Sequence, residues 1–314
     1  MLKTVQVGFN TSDLVGSMKL YSEAFGFDSA GSYCIWGTSI RPQDLKPDAR
    51  AMMWWLTGSS DFFQLEFFQH AVPVPRPMRA DWRPCDLGWV RIGVLVDDFA
   101  ACLEALTRNG VTELSRVRTA RGVHRVVFRD PYTRIMVEVI EQGEGRIGRN
   151  LVPGLRAPAL VYATQSVSDL EASRRFYERG FLVECTGDEC LHDDEDETLW
   201  GLEGAQRESL VVKGGEMLLE IVRYETPKGR PRRPDYKICD QGIANVAFGS
   251  HDIGDIVAAL GRLEAMGLYT PYFLRGEEAG AAYINDPERE VELLAAPKHL
   301  LPTLGFGKAA PFPG

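Results

Sequence analysis

Apolar and polar positions change their period along this chain in a fixed order. Residues 5–10 alternate as a half-buried strand does. Asp13 then stands where a short acidic side chain accepts from the free N–H groups of a helix start. Leu14, Met18, Tyr21 and Phe25 follow at helical spacing and form one apolar stripe, which stops at Gly26. Three strands complete the unit: residues 51–56, residues 62–68 and a less defined one before them. Residues 57–61 (Thr-Gly-Ser-Ser-Asp) form a turn between two of these. The order repeats with a strand over 90–96, a helix over Phe99–Arg108, a strand over 124–128, an Asp130-Pro131 turn and a strand over 135–140. Strands with one helix per unit on one face predict an α+β sheet protein.

The pattern also repeats on a larger scale. Ser12-Asp13-Leu14 returns as Ser168-Asp169-Leu170, Leu65-Glu66-Phe67 as Leu219-Glu220-Ile221, Asp86 as Asp240, and Asp130-Pro131 as Asp286-Pro287, all at an offset of 154 to 156 residues. Four motifs in order and in register mark a tandem duplication. Each half carries a weaker half-repeat, a strand ending at a helix-opening aspartate: Asp13 then Asp98, Asp169 then Asp252. The chain is therefore four βαβββ modules. The expected division is a first domain over 1–145, a linker over 146–158 with Gly and Pro, a second domain over 159–298 and a tail over 299–314. Proline-rich residues 72–85 join modules one and two.

Composition narrows the function. The 314 residues are 45% hydrophobic and 25% charged, ordinary globular usage, and the formal net charge is −9. A nucleic-acid partner would need a basic stripe, and the one basic cluster, residues 228–233, is short. Residues 1–10 have no signal-peptide pattern, and no apolar run approaches the roughly 20 residues of a membrane span, so a cytoplasmic location is expected. Six scattered cysteines without a CxxC pair read as reduced thiols; Cys185 and Cys190 with His192 are too few for a zinc knuckle. The acidic stretch 188–197 reads as a solvated loop.

These residues resemble the vicinal oxygen chelate superfamily, which includes glyoxalase I, bleomycin-resistance proteins and extradiol dioxygenases. The segments that carry the likeness are residues 7–14 with Leu20-Tyr21 and Phe25-Gly26-Phe27, residues 88–98, Phe128-Arg129-Asp130-Pro131, residues 168–173 with Phe176-Tyr177, and Asp286-Pro287 with Val291-Glu292-Leu293. The resemblance implies cup-shaped sheets, each built from two modules, with metal ligands on the first and last strands. The first-strand ligand is usually a histidine seven residues before the helix-opening aspartate. Here those positions hold Gln6, Arg91, Tyr162 and Asn245. The last-strand glutamates are Glu66 and Glu220, with Glu138 displaced by one residue from the usual spacing in one direction and Glu292 in the other. Since strand side chains alternate, such a shift turns a carboxylate away from the cup unless a turn or bulge absorbs it.

On this reading the first cup combines Gln6, Glu66, Arg91 and Glu138, and the second Tyr162, Glu220, Asn245 and Glu292. An arginine cannot ligate a metal, so no cofactor is expected; a divalent metal is the disfavoured alternative, a hard cation that the second cup could hold only with several waters. Arg91 instead takes the place of the cation, pairing with Glu66 or receiving a substrate oxygen. His124, on module two's third strand, is a candidate acid or base. Glu66, Arg91 and His124 together suit proton transfer next to a carbonyl. The substrate-binding candidates are Gln6, Trp54, Tyr162, Glu220, Asn245 and Glu292, and aromatic-rich residues 52–55 and 62–68 point to a flat apolar guest. The expected activity is a metal-independent isomerase or lyase acting on a hydrophobic, aromatic or polycyclic small molecule. The alternatives are sequestration of such a compound and, last, a metal-dependent dioxygenase. The plainer readings are a satisfied strand histidine at 124 and a buried ion pair of Glu66 with Arg91. A homodimer that swaps modules is left open.

Overall fold

The computed structural model describes residues 2–120, 122–143, 154–187, 191–284, 286 and 288–308. Much of the expected linker, residues 188–190 of the acidic stretch with Cys190, Asn285, Pro287 and the end of the tail lie outside these.

Four modules follow one another, each a strand, a helix and three strands. Module one is β1 (Lys3–Asn10), α1 (Leu14–Phe25), β2 (Asp28–Trp36), β3 (Arg50–Thr57) and β4 (Gln64–Val72). Module two is β5 (Gly88–Val96), α2 (Phe99–Arg108), β6 (Arg118–Ala120), β7 (Val123–Arg129) and β8 (Met136–Glu141). Module three is β9 (Ala159–Ser166), α3 (Leu170–Arg175) continued by a π-turn over Phe176–Phe181, β10 (Cys185–Thr186), β11 (Gln206–Lys213) and β12 (Leu218–Thr226). Module four is β13 (Gly242–Ser250), α4 (Ile253–Ala265), β14 (Phe273–Arg275), β15 (Gly280–Ile284) and β16 (Val291–Ala295).

All four helix-opening aspartates act as N-caps. Asp13 accepts from the Gly16 amide at 3.0 Å, Asp98 from Ala101 at 2.9 Å, Asp169 from Ala172 at 2.8 Å and Asp252 from Gly254 at 2.7 Å. Each bond satisfies one donor that the first helical turn leaves free. Gly26 closes α1 with a left-handed φ of 86°.

The modules do not pair within the halves. One eight-stranded sheet runs β14-β15-β16-β13-β1-β4-β3-β2, and the other runs β10-β11-β12-β9-β5-β8-β7-β6. Module one thus shares its sheet with module four, and module two with module three. The junctions are antiparallel pairs of first strands, β1 with β13 and β5 with β9. This corrects the expectation that modules one and two form one cup and three and four the other. The reason lies in the helices. Consecutive modules stack helix on helix, α1 on α2 and the π-turn of module three on α4, which sets their sheets back to back. One core unites the helix-bearing faces, with Phe9, Phe67 and Val7 from one sheet beside Ile92, Val126 and Phe128 from the other. The two concave faces therefore point away from each other.

The last-strand shift of module two is absorbed in its turn. Arg134 takes a left-handed φ of 68° between Asp130 and Ile135, and Glu138 faces the cup after all. The described part of the tail is draped: a 3-10 helix over Lys298–Leu304 ends at Gly305, and Phe306 packs on Phe62 with ring centres 5.0 Å apart.

Candidate active site

Each concave face gathers two first-strand and two last-strand side chains, and the two sets are chemically opposite. In the sheet of modules one and four, Gln6 (β1), Glu66 (β4), Asn245 (β13) and Glu292 (β16) converge. The Gln6 amide lies 2.7 Å from Glu66 and 3.0 Å from Glu292, and Asn245 donates to Glu292 at 2.7 Å. Trp55 donates its indole N–H to Glu66 at 2.9 Å, and the Tyr283 phenol, opposite Glu292 on β15, is within hydrogen-bonding reach of it. Gly8 makes this possible, because a Cβ there would stand 2.0 Å from Asn245 Oδ1.

No cation faces this carboxylate pair among the described residues. Glu66 is 6% and Glu292 5% exposed, so water screens them little. Burial, joined by the charge of Glu292, pushes Glu66 well above the usual carboxylate range, against the hydrogen bonds from Trp55 and Gln6. Burial lifts Glu292 to about 7, against bonds from Asn245, Tyr283 and Gln6. Two buried acids of like charge hold on to a proton near neutrality.

The other cup supplies its own cations. Arg91 (β5), Glu138 (β8), Tyr162 (β9) and Glu220 (β12) occupy the corresponding positions, and Gly93 makes room for the Tyr162 ring as Gly8 does for Asn245. Arg91 donates to Glu220 at 2.9 Å and to Tyr224 at 3.0 Å, with its guanidinium 4.1 Å over the Trp200 ring. Arg125 pairs with Glu138 at 2.5 Å and Asp196 at 2.9 Å. His192 bridges the two glutamates, 2.7 Å from Glu220 and 3.2 Å from Glu138. Thr164 and Tyr162 complete the hydrogen bonding to Glu220 and Glu138. Burial alone would depress His192, yet Glu220 and Glu138 hold it above its ordinary value. Burial would raise Glu138, but Arg125 and His192 pull it down to about 2. Glu220 likewise lies well below its ordinary range despite burial, held by His192 and Arg91. This cup is filled, neutralised and closed.

Several expectations are corrected here. Glu66 and Arg91 do not meet; they belong to different cups, and Arg91 pairs with Glu220. His124 shares the parity of Val126 and Phe128 as expected, but that is the helix-bearing face. It lies at the rim beside Phe99, half exposed, bonded to Glu141 at 2.7 Å. Trp54 also faces the helices and donates to Ser29 at 2.9 Å; Trp55 is the cup residue. Part of the acidic stretch is buried, with Asp196 and Glu197 at 1% and 0% exposed and salt-bridged to Arg125 and Arg207. Arg125 and Tyr283 were not anticipated, while the sequence suggests His192 only as a zinc ligand and Trp55 only as part of an aromatic lining. A charge count of each cup would have called for a cation like His192 only once the module pairing was known.

Residues 5–128 match the family model described as Glyoxalase/Bleomycin resistance protein/Dioxygenase superfamily. Among solved structures, glyoxalase I from Zea mays superposes with a TM-score of 0.62 at 17% identity, covering 94% of this chain and 92% of that one. The first two modules thus match a model of the vicinal oxygen chelate superfamily, and the whole chain shares its fold. A putative dioxygenase from Bacillus subtilis subsp. subtilis str. 168 gives a TM-score of 0.61 at 12% identity, covering 98% and 91%. At these identities the likeness is one of fold. No curated protein matches the sequence. No described helix is long and apolar enough to cross a membrane.

The superfamily's pattern would place a metal among the four strand positions, and the two cups answer differently. The Arg91 cup does not fit one, because guanidinium and imidazole already occupy its centre. The Gln6 cup fits a hard divalent cation in charge and donor type: two carboxylates without a counter-ion, two amide oxygens, and an Asn245 Oδ1 that is buried without a hydrogen-bond partner.

Proposed function

We propose that the protein is a proton-transfer enzyme of isomerase or lyase type, acting next to the carbonyl of a hydrophobic small molecule in the Gln6 cup. Glu66 and Glu292 are its acid–base pair. The observation that carries this reading is the shared, uncompensated burial of the two carboxyls, against full neutralisation of their counterparts Glu138 and Glu220. A pair that shares one proton offers a carboxylate to take a hydrogen from the α-carbon and a carboxylic acid to protonate the enolate oxygen. The carboxyl that took the hydrogen returns it to the neighbouring carbon in an isomerisation, or to a leaving group in an elimination. Trp55 and Tyr283 orient the two carboxyls. Trp55, Phe68 and Met53 on the same strand faces supply an apolar wall for the substrate body.

A divalent cation held by Glu66, Glu292 and the amide oxygens of Gln6 and Asn245 would supply Lewis-acid polarisation of that carbonyl. The metal-independent reading expects no stoichiometric metal in the purified protein, and one tight equivalent overturns it. The test of the chemistry is solvent hydrogen exchange: 2-tetralone in deuterated buffer, with loss of its α-proton signals followed by NMR. The wild type should accelerate exchange, and Glu66→Gln or Glu292→Gln should slow it about a hundredfold or more. Binding of the ketone without accelerated exchange points instead to sequestration, which the near-closure of the cup favours.

A further inference from the structure

A cavity of about 800 Å³ opens beside the Gln6 cup. One wall is the connection between β2 and β3, and the other is the stretch leading into β13. Leu87, Tyr236, Ile238 and Ala49 give it apolar surface. Three cations line it, Lys46, Arg233 and Lys237, and none has an acidic partner among the described residues. The acids around it are largely engaged. Glu290 is bound to Arg232, Asp286 to Arg289 at 2.7 Å, and Glu288 accepts from the Ser168 amide at 3.0 Å. Asp44 and Asp48 lie on the exposed loop that also carries Lys46.

Gln43 forms the inner wall. It bonds His70 at 3.1 Å and is within hydrogen-bonding reach of Tyr283, the neighbour of Glu292. A polar chain therefore runs from the cavity through Gln43 and Tyr283 to the carboxyl pair. An apolar basin with unpaired cations at its rim and a reactive centre behind its wall suits a ligand with a charge at one end and none at the other.

We propose that this cavity is a binding site for an amphipathic anion. The apolar body rests on Leu87, Tyr236 and Ile238, and the carboxylate, sulfonate or phosphate end is held by Lys46, Arg233 and Lys237. The inference leans on the proton-transfer reading only for its orientation, which turns the uncharged end toward Gln43.

Two dyes of like body test it: 8-anilinonaphthalene-1-sulfonate and the uncharged N-phenyl-1-naphthylamine, titrated by fluorescence into the full chain. The sulfonate should bind the wild type more tightly than the neutral dye and weaken as salt is raised. The double variant Lys46→Gln/Arg233→Gln should lose at least tenfold in sulfonate affinity with neutral-dye binding unchanged, while Arg233→Lys keeps the affinity. Equal binding of the two dyes by the wild type, or an unaltered sulfonate affinity in the double variant, overturns the proposal. Since the readout is equilibrium binding, a failure of the ketone exchange assay leaves this result unaffected.

Discussion

Arg76 and Arg230, 154 residues apart in sequence, make the same clasp in opposite directions. Arg76 reaches into the second half to Asp240, 2.6 Å away, and to Asp235. Arg230 reaches back to Asp86 at 2.7 Å and to Asp81 at 2.5 Å. The recurrence of Asp86 as Asp240 is thus a structural signature: each aspartate anchors the arginine of the other half beside the entry to a first strand. Asp86 is buried, and burial works to raise it, yet its bonds to Arg230 and Arg83 hold it below the usual range.

Loss of that anchor should destabilise the molecule. Asp86→Ala removes charge-assisted bonds from two arginines and should cost about 2 kcal/mol, seen as a lower urea midpoint. Asp240→Ala should do the same, and an unchanged midpoint in both would show the clasp to be energetically idle.

The closed cup has its own pH signature. Glu138 and Glu220 titrate below their unfolded values, so their contribution is complete above about pH 4.5 and fades as acid approaches Glu138's folded value of about 2. His192 is shifted upward, so its contribution is complete below its unfolded value of 6.5 and is lost as pH rises through the higher folded value. His192→Ala should cost about 3–5 kcal/mol, since it strands two buried carboxylates. It should also abolish the alkaline loss in a series of urea melts.

The Gln6 cup should behave in the reverse sense. Folded Glu292 keeps its proton to about pH 7, whereas the unfolded chain releases it near 4.5. The folded state binds more protons in that window, so stability falls as pH rises through it, by on the order of 3 kcal/mol. Glu292→Gln should flatten this slope and remove a protonated-carboxyl band from the infrared spectrum at pH 6. A wild-type melt with no slope between pH 4.5 and 7 would contradict the shared proton.

The tail seals the same cup. A Cβ on Gly305 would stand 2.3 Å from Trp55, so the chain crosses directly over that ring. Truncation after Pro297 should expose Trp55, giving red-shifted emission and stronger acrylamide quenching. Phe306→Ala should produce part of the effect at a cost of roughly 2–3 kcal/mol.

Local order was legible in the sequence because each of its causes is local. The aspartate caps, the glycine stop at Gly26 and the 154-residue offset all read correctly. The family resemblance pointed to Gln6, Glu66, Asn245 and Glu292 as strand positions, and the structure brings those four side chains together. What failed was long range. The edges of β1, β5, β9 and β13 carry similar alternating patterns, and nothing in a strand's own residues says which of three partners it will take. That ambiguity placed Arg91 beside Glu66 and put Asn245 in the wrong cup. The parity of His124 was read correctly, but which parity faces the helices depends on the stacking of α1 on α2. His192 arrives from a loop whose path no periodicity predicts.

Cross-pairing of the halves has a consequence for biosynthesis. β1 is made first, yet its antiparallel partner β13 begins only at Gly242. Until then the nascent chain presents β1 as a bare sheet edge, and β5 stays bare until β9 is made from Ala159 on, each a template for another unfinished copy. A ribosome that stalls after module two leaves two half-cups that only a second chain could complete.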